Sequence, residues 1–213
     1  MLKAIIFDMD GVLVDSEEYI CGAAIRMFAE KGYTVKPEDF IPFVGAGENR
    51  YIGGPAEKYG IPLDLESDKA RTYEIYGELV KGLKPLTGAR EFIGKCKDRG
   101  LKLAVASAAD KVKVDINLGI LDLPPGTFDV VVNGLDVEKK KPNPEIFLLA
   151  ANRLGVPSSE CLVAEDAVNG VAAAKAAGAR CLAITTSFTP EQLAGADWFA
   201  PNLAEAPEEA LEW

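Results

Sequence analysis

The sequence predicts an α/β protein: a doubly wound parallel sheet with a helical subdomain inserted after its first strand. Three observations carry this expectation. The run Ala4-Ile5-Ile6-Phe7 is apolar without alternation, which suits a strand buried on both faces of a parallel sheet. From Ala89 onward, helix-period and strand-like segments alternate, as repeated βα units do. Between them, about seventy residues from Asp15 to Pro85 are mostly helical in pattern and carry no strong strand. A crossover between parallel strands usually needs only one helix, so this stretch reads as an insertion. The expected division is a core of residues 1–16 and 85–213, with residues 17–84 lying over the carboxyl end of the first strand.

Each element has a local reason. Ser16 is a suitable N-cap, and Glu17 and Glu18 follow it where the helix dipole favours negative charge. Ile20, Ala23, Ala24, Met27 and Phe28 then keep helical spacing until Lys31-Gly32. Residues 37–60 read as irregular, because Pro42, Gly45, Gly47, Gly53, Gly54 and Pro55 interrupt them. A second helix is expected from Ser67 to Lys81, with Ala70, Tyr73, Tyr76 and Val80 on one face. The core resumes with a helix from Ala89 to Arg99 and a strand from Leu101 to Ala106. A helix from about Asp110 to Leu118 and a strand from Phe128 to Val132 follow. Next come a helix from Glu145 to Leu154, begun by Asn143-Pro144, and a strand from Cys161 to Ala164. A helix from Gly170 to Ala177 and a strand from Arg180 to Ile184 complete the pattern.

Composition narrows the function. The 213 residues are 48% hydrophobic and 26% charged, the profile of a globular protein with a substantial core. A net charge of −10 argues against nucleic acid and anionic membranes, whose binding depends on Lys and Arg. Histidine is absent, which removes the commonest general base, the commonest zinc ligand and any Ser-His-Asp triad. Cys21, Cys96, Cys161 and Cys181 show no C-x-x-C spacing, so buried free thiols in a reducing compartment are expected. A Cys161–Cys181 redox pair remains open on sequence, since both head strand candidates. The first apolar run breaks at Asp8, unlike a signal peptide, and no stretch reaches membrane-spanning length. A cytoplasmic monomer without a membrane partner is therefore expected.

The chemistry gathers at strand ends. Asp8 and Asp10 lie one residue apart and precede Gly11. Strand alternation would put them on one side unless the backbone bends, and like charges that close need a cation or a shared proton. An EF-hand also begins D-x-D, but its sixth and twelfth positions fall here on Leu13 and Tyr19, not Gly and Glu. Ser107, Lys141 and Glu165-Asp166 also sit just after or beside strand candidates. Singly they have dull explanations: a helix cap, a solvated lysine run, a charged first turn. In a parallel sheet these ends converge on one edge, where ligands bind. Four acidic groups, one hydroxyl and one amine there suit a magnesium and phosphate site.

These segments resemble the motifs of the haloacid dehalogenase superfamily, in the branch of β-phosphoglucomutases and sugar phosphatases. Asp8-Met9-Asp10-Gly11-Val12-Leu13-Val14-Asp15-Ser16 resembles its first motif and Val105-Ala106-Ser107 its second. Lys141-Pro142 resembles the third, and Glu165-Asp166 with Asn169-Gly170 the fourth. The resemblance implies a Rossmann-like core with a helical cap, and catalytic roles for Asp8, Asp10, Ser107 and Lys141. In it Asp8 is the nucleophile that forms an aspartyl-phosphate and Asp10 the general acid and base. Mg2+ would be held by Asp8, the Asp10 carbonyl, Asp166 and Glu165, the last directly or through water. Ser107 and Lys141 would bind the transferring phosphoryl group.

The substrate implied is a small phosphorylated metabolite, of the sugar-phosphate kind, hydrolysed by a magnesium-dependent phosphatase. The alternatives are a phosphosugar mutase and a non-catalytic regulatory domain on the same fold. The branch's mutases carry a histidine at the position of Ile20, which favours hydrolysis here. Two departures stand out: Ala167 replaces a common serine, and Ala108-Ala109-Asp110-Lys111 loses side-chain contacts at the leaving-group site. The glycine-rich loop from Val44 to Pro55 is expected to face Asp8, with Gly45, Glu48, Arg50 and the core residue Ala108 contacting substrate.

Overall fold

The computed structural model describes residues 1–44 and 47–213. Six parallel strands form one sheet in the order β3-β2-β1-β4-β5-β6. They are β1 (Ala4–Phe7), β2 (Lys102–Ala106), β3 (Val130–Val132), β4 (Cys161–Glu165), β5 (Arg180–Ile184) and β6 (Trp198–Ala200). Strand β1 is central, with Phe7 opposite Val105 on one side and Ala164 on the other. The chain builds outward through β2 and β3, then returns past β1 to add β4 to β6. The reversal lies beside β1, so Asp8 emerges where an open α/β sheet forms its binding crevice.

Alternation along the strands divides the core into two layers. Ile5, Phe7, Leu103 and Val105 face helices α4 (Ala89–Asp98) and α5 (Lys111–Ile120). Ala4, Ile6, Ala104 and Ala106 face α6 (Glu145–Leu154) and α7 (Val168–Ala176). Burial on both faces explains why β1 reads as a continuous apolar run. Cys181 lies opposite Val163, two residues out of step with Cys161, and all four cysteines are free.

A third apolar cluster belongs to α1 (Glu17–Glu30), α2 (Glu48–Tyr59) and α3 (Leu65–Leu79). It is filled by Phe28, Phe40, Ile52, Tyr76 and their neighbours, with the Phe40 and Tyr51 rings 5.0 Å apart. The expectation of an irregular segment through Pro55 is corrected here. Helix α2 starts at Glu48 and runs through Gly53, Gly54 and Pro55. The Phe43 ring lies so close to Gly54 that a Cβ there would come within 2.1 Å of it, so the glycine serves packing rather than a bend. Burial of Tyr51, Ile52 and Ala56 outweighs the weak propensity of the Gly-Gly-Pro sequence. Strand β6 was also not expected: three residues at a sheet edge carry no readable period.

Ser16 does not cap α1 through its side chain. Its hydroxyl donates to Asp10 instead, while its carbonyl receives the Tyr19 and Ile20 amides.

Candidate active site

A cavity of about 340 Å³ lies between the carboxyl ends of the strands and helices α1 and α2. Its floor includes Asp8, Asp10, Ser107, Ala108, Lys141, Glu165 and Asp166, and its other wall includes Glu17, Ile20, Gly47, Glu48 and Tyr51. Most of the expected residues therefore meet in one place.

Asp8 continues β1, its amide donating to the Ala164 carbonyl at 2.9 Å. Lys141 reaches across to place Nζ 2.5 Å from Asp8 Oδ1 and 2.6 Å from Glu165 Oε1. That ammonium is buried and sits 4.8 Å from the centre of the Phe147 ring. Lys141 is thus no solvated member of a lysine run. Asp8 Oδ2 has no hydrogen bond to any described residue. Burial, followed by the charges of Glu165 and Asp10, raises the Asp8 carboxyl to about 7 despite the opposing Lys141.

Glu165 Oε2 accepts the backbone amides of Asp166 at 2.8 Å and Ala167 at 2.7 Å. It thus orients Lys141 and the start of α7, while Oε1 accepts only Lys141 among the described residues and keeps a lone pair for a metal or its water. Gly170 makes this possible, because a Cβ there would fall 1.7 Å from Glu165 Oε1. Gly11 does the same for Asp166: it adopts φ +74° and a Cβ would lie 2.0 Å from Asp166 Oδ2. Among the described residues the Asp166 carboxylate receives only the Ser187 hydroxyl. Burial, with repulsion from Glu165 and Asp8, holds its carboxyl well above the ordinary range.

The donor set suits magnesium. Asp8 and Asp166 supply hard oxygens, no histidine competes, and three carboxylates, Asp8, Glu165 and Asp166, gather around the Lys141 ammonium. No three His, Cys, Asp or Glu side chains among the described residues close into a metal cage. Magnesium commonly binds through one or two carboxylates and keeps its remaining waters, so a closed cage is not required.

Asp10 bends away from Asp8 and is held by three donors. Lys113 Nζ lies 2.9 Å from Oδ2, Asn117 Nδ2 lies 3.3 Å from Oδ1, and the Ser16 hydroxyl also reaches Oδ1. The sequence reading missed Lys113 and Asn117. A signal was present: Asp110, Lys113, Val114 and Asn117 form the buried stripe of a helix, three of them polar where apolar residues are expected. Burial acts against the Lys113 charge, but Asp10 and Glu48 together hold it firmly protonated.

The expectation for the 44–55 loop is met only in part. Val44, Gly47, Glu48 and Tyr51 line the cavity, as does Ala108. Gly45 lies outside the described residues. Arg50 does not reach the site: it stacks over Phe43 at 5.2 Å and pairs with Glu57 at 2.8 Å. The reason is periodicity, because in a helix residue 50 is rotated about 200° from residue 48, whereas residue 51 shares its face.

Glu48 is buried and its carboxylate has no partner in any other described residue. Burial, with Asp110 and Asp10 adding, raises it from 4.5 to about 7 against the pull of Lys113. A carboxyl raised in the folded state binds its proton more tightly there than in the unfolded chain. Stability therefore falls as pH rises through the window from about 4.5 to 7. Glu48→Gln should stabilise the protein by about 1–3 kcal/mol above that window and not below it. Melting temperatures of the two proteins, compared at both ends of the window, check this; an equal gain at both would contradict it.

An all-parallel sheet with two carboxylate pairs, a hydroxyl and a buried lysine at its strand ends defines an α/β enzyme of the phosphohydrolase class. The haloacid dehalogenase-like hydrolase family description matches residues 2–178, and the chain belongs to that family. It is 46% identical over 194 residues to the protein SUPPRESSOR OF QUENCHING 1, chloroplastic, of Arabidopsis thaliana, covering 88% of this chain but 18% of that one. It is 37% identical over 190 residues to a phosphorylated carbohydrates phosphatase of Thermotoga maritima, covering 83% and 82% of the two chains. The crystal structure of CbbY from Rhodobacter sphaeroides in complex with phosphate superposes with a TM-score of 0.86 at 30% identity, covering 96% of each chain. No helix of the described residues is long and apolar enough to cross a membrane.

Proposed function

We propose that the protein is a magnesium-dependent phosphatase of a small phosphorylated carbohydrate, working through an aspartyl-phosphate on Asp8. The observation that carries this reading is the pairing of Asp8, one oxygen held by Lys141 and the other unbonded, with Asp10 across the same cavity. The name of the Thermotoga maritima relative supports the substrate class.

In this reading Ser107 and Lys141 receive the phosphoryl oxygens. Asp8 Oδ2 attacks phosphorus, the ester bond to the leaving oxygen breaks, and Asp10 gives that oxygen a proton. Asp10 then takes a proton from water as it attacks the acyl-phosphate, releasing phosphate and restoring Asp8. Lys113, Asn117 and Ser16 position Asp10 for both transfers. Magnesium, when held by Asp8, Asp166 and the Asp10 carbonyl, would offset the negative charge gathered on the phosphoryl group. Residues 17–84 act as the cap that shelters this chemistry from bulk water. Four free thiols support work in a reducing, cytoplasm-like compartment, and the reading treats the chain as a monomer.

Hydrolysis is preferred to mutase chemistry. Ile20 is 2% exposed and lines the cavity where the branch's mutases place histidine. It has no hydrogen-bonding atom beyond its backbone, so nothing at that point ties closure to the correct acceptor. Incubated with β-glucose 1-phosphate, a trace of the 1,6-bisphosphate and magnesium, the protein should release phosphate faster than it forms glucose 6-phosphate. Faster accumulation of glucose 6-phosphate would reverse the assignment.

A further inference from the structure

The wall facing the nucleophile is acidic. Lys113 and Lys141 are the only cations among the described residues that line the cavity, and both are committed on the core side, to Asp10 and to Asp8 with Glu165. The opposite side contributes Glu17 and Glu48 and, among the described residues, no basic one. Glycine and alanine at positions 45 and 46 carry no charged side chain. The cations nearest that wall are engaged elsewhere: Arg50 with Glu57, Lys69 with Asp110 and Asn49, and Lys140 with the Gly134 carbonyl.

On the side opposite Asp8, the feature that could welcome a second anion is the N-terminus of α2, which opens into the cavity at Gly47 and Glu48. Glu48 itself begins that helix, so its carboxylate already places negative charge there. Glu48 is only 8% exposed, lacks a partner in any other described residue and lines the cavity. A buried acceptor of this kind calls for a donor on the ligand. The rim on the cap side adds the apolar Ile41, Phe43 and Val44, which offer a phosphate nothing, while the polar Asn169 and Ser187 lie on the core side.

We propose that the substrate carries a single phosphoryl group on a neutral, hydroxylated leaving group that donates to Glu48, and that bisphosphorylated sugars are rejected. This rests on the phosphatase reading of the site and names its substrate class more narrowly. A second phosphate near Glu48 meets like charge in a partly desolvated wall, enough for a loss of about tenfold or more.

The test compares kcat/KM for glucose 1-phosphate and glucose 1,6-bisphosphate, by phosphate release at about pH 8, where Glu48 is ionised. The monophosphate should be favoured by about tenfold or more, and Glu48→Gln should narrow that ratio severalfold. Equal or better turnover of the bisphosphate would overturn the proposal, as would a ratio that Glu48→Gln leaves unchanged. Calorimetric titration of both sugars into the Asp8→Asn variant with magnesium separates the two readings. Should the wild-type protein hydrolyse neither sugar nor p-nitrophenyl phosphate, the phosphatase reading fails. The affinities then decide alone: tighter binding of the monophosphate supports the proposal, and tighter binding of the bisphosphate overturns it.

Discussion

Replacing Asp8 by asparagine should lower turnover of every substrate, including generic aryl phosphates, by about 10⁴-fold or more. That scale is typical when the nucleophile of a covalent mechanism is removed. The amide keeps the shape of the side chain and its place at the end of β1, so folding should survive. It also removes a buried charge whose carboxyl is already raised to about 7, so the variant should be no less stable than the parent at neutral pH. Lys141 would lose one partner but keep Glu165 at 2.6 Å. Steady-state release of phosphate from p-nitrophenyl phosphate checks the expectation. Activity within tenfold of the parent would remove Asp8 from the nucleophile's role.

Removing magnesium should have the next largest effect. Asp8 and Glu165 bond the Lys141 ammonium directly, whereas Asp166, among the described residues, has the Ser187 hydroxyl and the more distant Lys141 charge. Bringing a phosphoryl dianion into this cavity without a divalent cation adds repulsion that two lysines do not cancel. Chelation should therefore depress turnover by about 100-fold or more, and added magnesium should restore it. Asp166→Ala should weaken magnesium binding, measured by titration calorimetry, far more than Ser107→Ala. Equal affinities in the two variants, or turnover indifferent to chelator, would contradict the metal assignment.

Much of the fold was legible because burial on both faces leaves an unmistakable run in β1 and β4, and because short βα spacing implies parallel strands. The floor of the cavity was legible for a related reason. Asp8, Ser107 and Glu165-Asp166 lie at or just beyond strand ends, parallel topology brings such ends to one edge whatever the details, and Lys141 arrives on the loop that follows β3. The cap side was harder. Glycines and Pro55 read as breaks in α2, yet tertiary burial of Tyr51 and Ile52 held the helix together. That misreading carried a second one with it: a loop could point Glu48 and Arg50 the same way, but a helix cannot.

Lys113 and Asn117 escaped for a different reason. Their meaning depends on α5 packing beside the end of β1, a contact between residues more than a hundred positions apart. Glu165, expected at the metal directly or through water, also orients Lys141 and two backbone amides.

The central claim is that hydrolysis passes through a phosphoryl group bonded to Asp8. Its most direct test is to mix the protein with aryl phosphate and magnesium, quench in acid within one turnover, and map the adduct by mass spectrometry. The account predicts a phosphorylated peptide containing Asp8, present in the parent and missing from Asp8→Asn. Turnover without any adduct, or an adduct on another residue, would contradict it.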